Sequence, residues 1–164
     1  MAITSTSDYT GQYTINLNKH NVDNVQACID SVEDLALMQL FGVDFKDIVL
    51  QGVVDLDPIY EKLFEPFNYQ DDCDRIWQSK GVKEMLLGFV YFEWFATHSV
   101  AVVLDGQREN ESENSKSASS LKANNEKRYN DAVKTYRAIQ AYINDNLDIY
   151  PEFKGQSKLL MNWF

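Results

Sequence analysis

A mainly α-helical fold, a small helical bundle with a long inter-helix loop or short β-hairpin and extended N- and C-terminal arms, is predicted by three observations. Apolar residues recur at three- and four-residue spacing in two long stretches, one opening at Val22 and one running through Tyr129, Val133, Tyr136, Ile139 and Ile143, as amphipathic helices require. Between them, residues 85–95 carry a single charge, Glu93, which marks a helix buried on nearly every side. Hydrophobic residues make up 45% of a 164-residue chain, enough for one real core and too little for two ordinary domains. The expected organisation is an extended arm over residues 1–20, a helical domain over 21–149 containing a loop at 99–120, and a docking tail over 150–164.

Each element follows from its local pattern. In residues 9–17, Tyr13, Ile15 and Leu17 alternate with polar neighbours, the period of a short half-buried strand or an extended arm, the arm being preferred. Asn21 offers a cap before Val22, Val25, Ile29, Val32 and Ala36, so a first helix runs from Val22 to about Phe41 and closes at Gly42. Residues 43–52 mix apolar and charged side chains without a clear period. Asp57-Pro58 reads as a helix entry leading to Ile59, Tyr60, Leu63 and Phe64, with Pro66 preventing extension. The acidic run Asp71-Asp72-Cys73-Asp74 suits the amino end of the next helix, which would carry Ile76, Trp77, Val82, Met85, Leu86, Phe89 and Phe92. Residues 100–104 read as a short strand ending in the turn pair Asp105-Gly106, and residues 107–120 as a polar, mobile loop. From Leu121 a tyrosine-faced helix continues to about Asn146, with Lys127, Arg128, Asp131, Lys134 and Arg137 toward solvent, and Tyr150-Pro151 bars continuation.

Charge and chemistry exclude several functions. A formal net charge of -10 repels phosphate and gains nothing from counterion release, which disfavours sequence-independent nucleic-acid binding but suits a wall that DNA passes without being gripped. Cys28 and Cys73 form neither a disulfide framework nor a paired-cysteine metal pattern, so folding in a reducing cell interior is expected. The amino-terminal residues show no secretory signal, and the apolar run 85–92 is far short of the ~20 residues that span a bilayer. His20 and His98 lack a ligand partner at zinc spacing. The Asp71 cluster lacks the glycine and glutamate of a calcium loop. Glu84 and Glu93 would lie about 13 Å apart along one helix, too far to share one bond-breaking site, and are expected to serve as ion-pair or interface residues. With no phosphate loop, nucleophile elbow or cysteine-histidine pair, a non-enzymatic protein without cofactor or metal is expected. Nine Tyr, nine Phe and three Trp describe an aromatic core between helices. The apolar girdle of the central helix and the terminal Trp163 and Phe164 fit surfaces completed by another subunit.

The order of parts, together with Leu40-Phe41-Gly42, Gly88-Phe89-Val90-Tyr91-Phe92-Glu93-Trp94, residues 111–115, Arg128-Tyr129-Asn130-Asp131-Ala132, residues 142–147 and Tyr150-Pro151-Glu152-Phe153, resembles the head-tail connector, or ring, proteins of tailed phages that infect Bacteroidetes, the crAss-like group included. The resemblance spans about two-thirds of the chain and rests on packing and turn patterns. It implies a helical adaptor in the virion, assembled in the host cytoplasm. Its partners would be the portal protein, adjacent copies in a twelve-membered ring, the next ring or tail protein, and DNA passing through without tight binding. In such families the inter-helix loop and the carboxy-terminal tail make these contacts. The residues implied here are Val100, Val102, Leu104 and Arg108 in the loop, and Leu159, Leu160, Met161, Trp163 and Phe164 in the tail. On this reading the loop, arm and tail project from the bundle and become ordered on assembly. The rival expectation is a small acidic regulatory protein, phage-encoded, that binds a basic partner one to one.

Overall fold

A computed structural model describes residues 3–17, 21–98, 100–103, 106–109 and 118–154. The protein is mainly helical. Its elements are α1 (Val22–Phe41), α2 (Val43–Val54), α3 (Pro58–Phe64), β1 (Phe67–Gln70), β2 (Ile76–Ser79), α4 (Val82–His98), β3 (Val100–Val103), β4 (Gly106–Glu109) and α5 (Ala118–Asp145), preceded by two short 3-10 turns, Thr6–Asp8 and Gly11–Tyr13. The three long helices form a bundle in which α4 packs against both α1 and α5.

Helix α1 has the bounds its periodicity predicts, burying Val25, Ile29, Ala36, Leu37, Leu40 and Phe41. Gly42 ends it with φ +79, a conformation costly for any residue with a Cβ, while its N–H bonds to the Met38 carbonyl at 2.9 Å. The same glycine starts α2, which the sequence pattern left unassigned. That helix shows too little of itself to periodicity because it is short and buries only Phe45, Val49 and Gly52. At Gly52 it touches the Tyr60 ring so closely that a Cβ would sit 2.1 Å from it. Asp57 caps α3 by accepting from the Ile59 N–H at 3.0 Å, with Pro58 in the first turn, as the sequence indicates.

The acidic run does not open a helix. It turns an antiparallel hairpin in which Tyr69 lies across from Trp77 and Gln70 from Ile76. The turn is organised by one side chain. Asp71 accepts from the backbone N–H groups of Cys73 and Arg75, from Arg75 Nε at 2.7 Å and from Trp77 Nε1 at 3.0 Å. Such local bonding by aspartate competes with helix formation, and Asp74 takes the left-handed conformation, φ +60, that aspartate tolerates. Phe67 and Tyr69 then point at α5, with ring centroids 5.0 and 5.4 Å from that of Tyr142. Gly81, at φ +86, passes against the Phe64 carbonyl and admits the chain to α4.

Two further expectations are corrected. The amino-terminal segment is neither a strand nor a projecting arm: Tyr9, Tyr13 and Ile15 are buried in one cluster with Val25, Ile29, Leu87, Val90, Tyr91 and Trp94. Burying two tyrosines and an isoleucine stabilises the docked segment by roughly 1.5–3 kcal/mol per side chain before ordering costs, and that is why it lies down. This segment closes one side of α4, with α1 and α5 packed on others. At the other end, Tyr150 and Phe153 are core residues against Phe45, at 6.1 and 5.5 Å, so the described part of the expected tail belongs to the bundle. Leu147 lies past the end of α5 and is 45% exposed.

Candidate interaction surface

Of the expected contact residues, Val100 and Val102 fall on β3 and Arg108 on β4. The two strands pair antiparallel, with Val100 across from Glu109, Ala101 from Arg108 and Val102 from Gln107. The short strand expected over residues 100–104 is present as β3, and β4 takes up the first residues of the segment expected as a polar loop, so the short β-hairpin is the alternative realised here. β-branched residues at 100, 102 and 103 supply the strand tendency, and Asp105-Gly106 the turn signal. Among the described residues β3 and β4 pair only with each other, leaving an outer edge on each. Leu104, Leu159, Leu160, Met161, Trp163 and Phe164 lie outside the described residues, as does His20.

Sequence reasoning missed a second surface. A groove of about 590 Å³ runs along the bundle, walled by Cys28, Val32, Leu35 and Ala36 of α1 and Tyr129 of α5, with Phe89 and Phe92 of α4 between them. Glu93 and Thr97 line one end, and Gln39 also borders it. Its walls are formed by residues that periodicity counts as core. Val32 and Ala36 sit on the predicted apolar face of α1, yet Leu35, one position aside, is 58% exposed. Burial pushes the Cys28 thiol above its ordinary range, with a smaller push from Glu93. A smaller cleft of about 180 Å³ lies where α1 meets α2, lined by Phe41, Gly42, Phe45, Glu152 and Lys154 among others.

Polar side chains on α1, α4 and α5 act as fasteners. Glu33, buried on α1, accepts from the backbone N–H groups of Ile3 at 3.0 Å and Thr4 at 2.7 Å and from the Thr4 hydroxyl. Glu84 accepts from Gln12 Nε2 at 2.9 Å and Tyr13 Oη at 3.0 Å, and Lys83 pairs with Asp8 at 2.7 Å. Glu84 therefore ties down the amino-terminal segment, while Glu93 faces the groove. Tyr136 Oη donates to the Gln39 carbonyl at 2.8 Å, and burial pushes its phenol up to about 12. Burial likewise raises Tyr9, Tyr13 and Tyr150, which keeps these phenols protonated as donors. Among the described residues no group of three or more His, Cys, Asp or Glu side chains is placed to hold a metal ion, and no helix is long and apolar enough to cross a membrane.

Residues 38–159 match the model of a family of unknown function (DUF6712). No curated protein and no solved structure matches the chain.

Proposed function

The chain belongs to the DUF6712 family, and we propose that it is a non-enzymatic structural subunit of a tailed-phage virion, forming a ring between the portal and the next ring or tail component. The observation that carries this reading is the hairpin. Val100, Val102 and Arg108 sit on a two-stranded ribbon whose outer edges are unpaired among the described residues. An isolated two-stranded ribbon is marginal in water and gains stability when a further strand or surface covers an edge. A neighbouring copy and the portal protein are the partners proposed for it, with residues 156–164 as the second contact. Five of the six stretches behind the resemblance also support the reading, because residues from each meet in one core. Leu40 and Phe41 pack in the same cluster as Phe89, Ala132, Tyr142, Tyr150 and Phe153. The net charge of -10 suits a subunit bordering a DNA passage without holding the DNA.

Cross-linking mass spectrometry on purified particles of the source phage tests the proposal. Cross-links from Lys122 and Lys116, which bracket the start of α5, to portal protein and to other copies of this chain are the expected result. Absence of the chain from the particle, with a one-to-one complex in infected cells, would overturn it in favour of the acidic regulatory binder.

A further inference from the structure

Helix α2 ends on a strained leucine. The N–H of Asp57 bonds to the Gly52 carbonyl at 2.9 Å and that of Leu56 to the Val53 carbonyl at 3.2 Å, a closure that puts Leu56 at φ +57. Glycine is the usual residue in such a helix stop, and asparagine the next, because a larger side chain crowds the following carbonyl. The Leu56 side chain is also 71% exposed, and Val54 and Ile59 are exposed beside it in sequence. Either glycine or asparagine would remove both the strain and the exposed apolar surface, so folding alone does not account for Leu56.

The charges around this knuckle specify what fits it. Residues 47–61 carry four carboxylates, Asp47, Asp55, Asp57 and Glu61, and no Lys or Arg. The flanking lysines are engaged elsewhere, Lys46 with Asp34 at 2.7 Å and Lys62 with Tyr142 Oη at 2.8 Å. The complement is therefore a basic surface. This chain has one in spite of its net charge of -10. Lys80, Lys83, Lys127, Arg128 and Lys134 gather where the start of α4 meets α5, and the carboxylates among them are fewer. Asp131 pairs with Lys134 at 3.2 Å and Lys80 at 3.7 Å, Asp8 pairs with Lys83 at 2.7 Å, and Glu84 is held by Gln12 and Tyr13. Lys127 and Lys134 are exposed on one stripe of α5, and lysine stems give an apolar side chain a surface to lie on.

We propose that copies of this chain associate head to tail, the acidic knuckle of Val54, Leu56 and Ile59 on one copy seated on the lysine surface of α5 on the next. Leu56 is the apolar centre of the contact, and the carboxylates around it steer the approach and fix the register. The two patches lie on different elements, so the contact is heterologous and can propagate from copy to copy, as a ring requires. The inference rests on the ring reading for its choice of partner.

Sedimentation equilibrium of the full chain reads the contact. Added salt screens the overall repulsion between like-charged copies and strengthens an association driven by apolar burial alone, whereas an association built on complementary patches weakens. The association constant is expected to fall roughly tenfold between ~50 and ~500 mM salt. Leu56→Asn and, separately, Lys127→Glu/Lys134→Glu should each associate at least about tenfold more weakly than the parent. Mixed in equal amounts, the two variants should form a dimer that grows no further, because one intact knuckle meets one intact patch. Leu56→Asn should also raise the urea midpoint of the free chain, since it suits the left-handed backbone. Association that strengthens with salt, that survives both variants or that mixing does not restore would overturn the inference. A parent chain that stays monomeric at millimolar concentration in low salt would overturn it too, and the ring reading would then rest on the particle cross-links alone.

Discussion

Glu33→Ala removes the carboxylate on which the start of the chain is hung. Three donors converge on it: the N–H of Ile3, the N–H of Thr4 and the Thr4 hydroxyl. A hydrogen bond to a charged group contributes about 1.5–3 kcal/mol net, but three bonds sharing one acceptor fail together and do not add. Removing a charge that had to be desolvated on folding offsets part of the loss. An overall destabilisation of about 3 kcal/mol is therefore expected, corresponding to a fall in Tm of roughly 6–12 °C for a chain of this size. The damage is also local. Releasing residues 3–17 uncovers Leu87, Tyr91 and Trp94, which lie beneath Tyr9, Tyr13 and Ile15. Urea denaturation measures the energy; Trp94 fluorescence shifting to the red and new protease cuts within residues 3–17 measure the location. Thr4→Val in the Glu33→Ala background should add much less than it does alone, since its hydroxyl has lost its acceptor. A loss below about 0.5 kcal/mol, within the range of an ordinary surface substitution, with the segment still protease-resistant, would refute the reasoning.

Two further outcomes test the turns that position the bundle. Gly81→Ala places a Cβ 2.1 Å from the Phe64 carbonyl oxygen at φ +86, whereas Gly11→Ala, at φ +60, meets nothing within 4 Å. The first should cost about 3 kcal/mol or more and the second about 1 kcal/mol; similar urea midpoints for the two would show that the backbone contact is not limiting. For Asp71, the Trp77 indole first, then the Arg75 and Cys73 donors, hold the carboxyl at about 2, below its ordinary 3.8. A depressed carboxyl contributes stability that is complete above its unfolded value and lost as pH falls through its folded one. The advantage of the parent protein over Asp71→Asn should thus be constant above about pH 5 and shrink between pH 4 and 2. An unchanged difference in urea midpoint across that window would mean the bonds do not depend on the charge.

Legibility differed sharply between elements. Helices α1 and α5 and the Asp57-Pro58 entry to α3 could be read residue by residue, because a long amphipathic period, a glycine stop and a proline start are local properties of the chain. Helix α2 was invisible because three buried positions in twelve residues make too short a pattern, and Phe45 and Val49 at i, i+4 were the only hint. By local pattern alone the Asp71 run suits a helix start, because carboxylates favour that end of the dipole. What decides otherwise is a set of bonds to Cys73, Arg75 and Trp77 that exists only once the hairpin has closed.

The sequence by itself determined which faces of α1, α4 and α5 are apolar, and so that they pack as one bundle: apolar area drives burial wherever the residues lie. Only the tertiary structure decided what covers each face. Tyr9, Tyr13 and Ile15 close one side of α4 and Ala132 comes within contact of Gly88 on another, while between Leu35 and Tyr129 a groove is left. Periodicity marks a face as buried and carries no information on its partner, because the hydrophobic effect is non-directional. The partner is selected by shape, by the reach of the connecting chain and by where fasteners such as Glu33 and Glu84 can meet their donors.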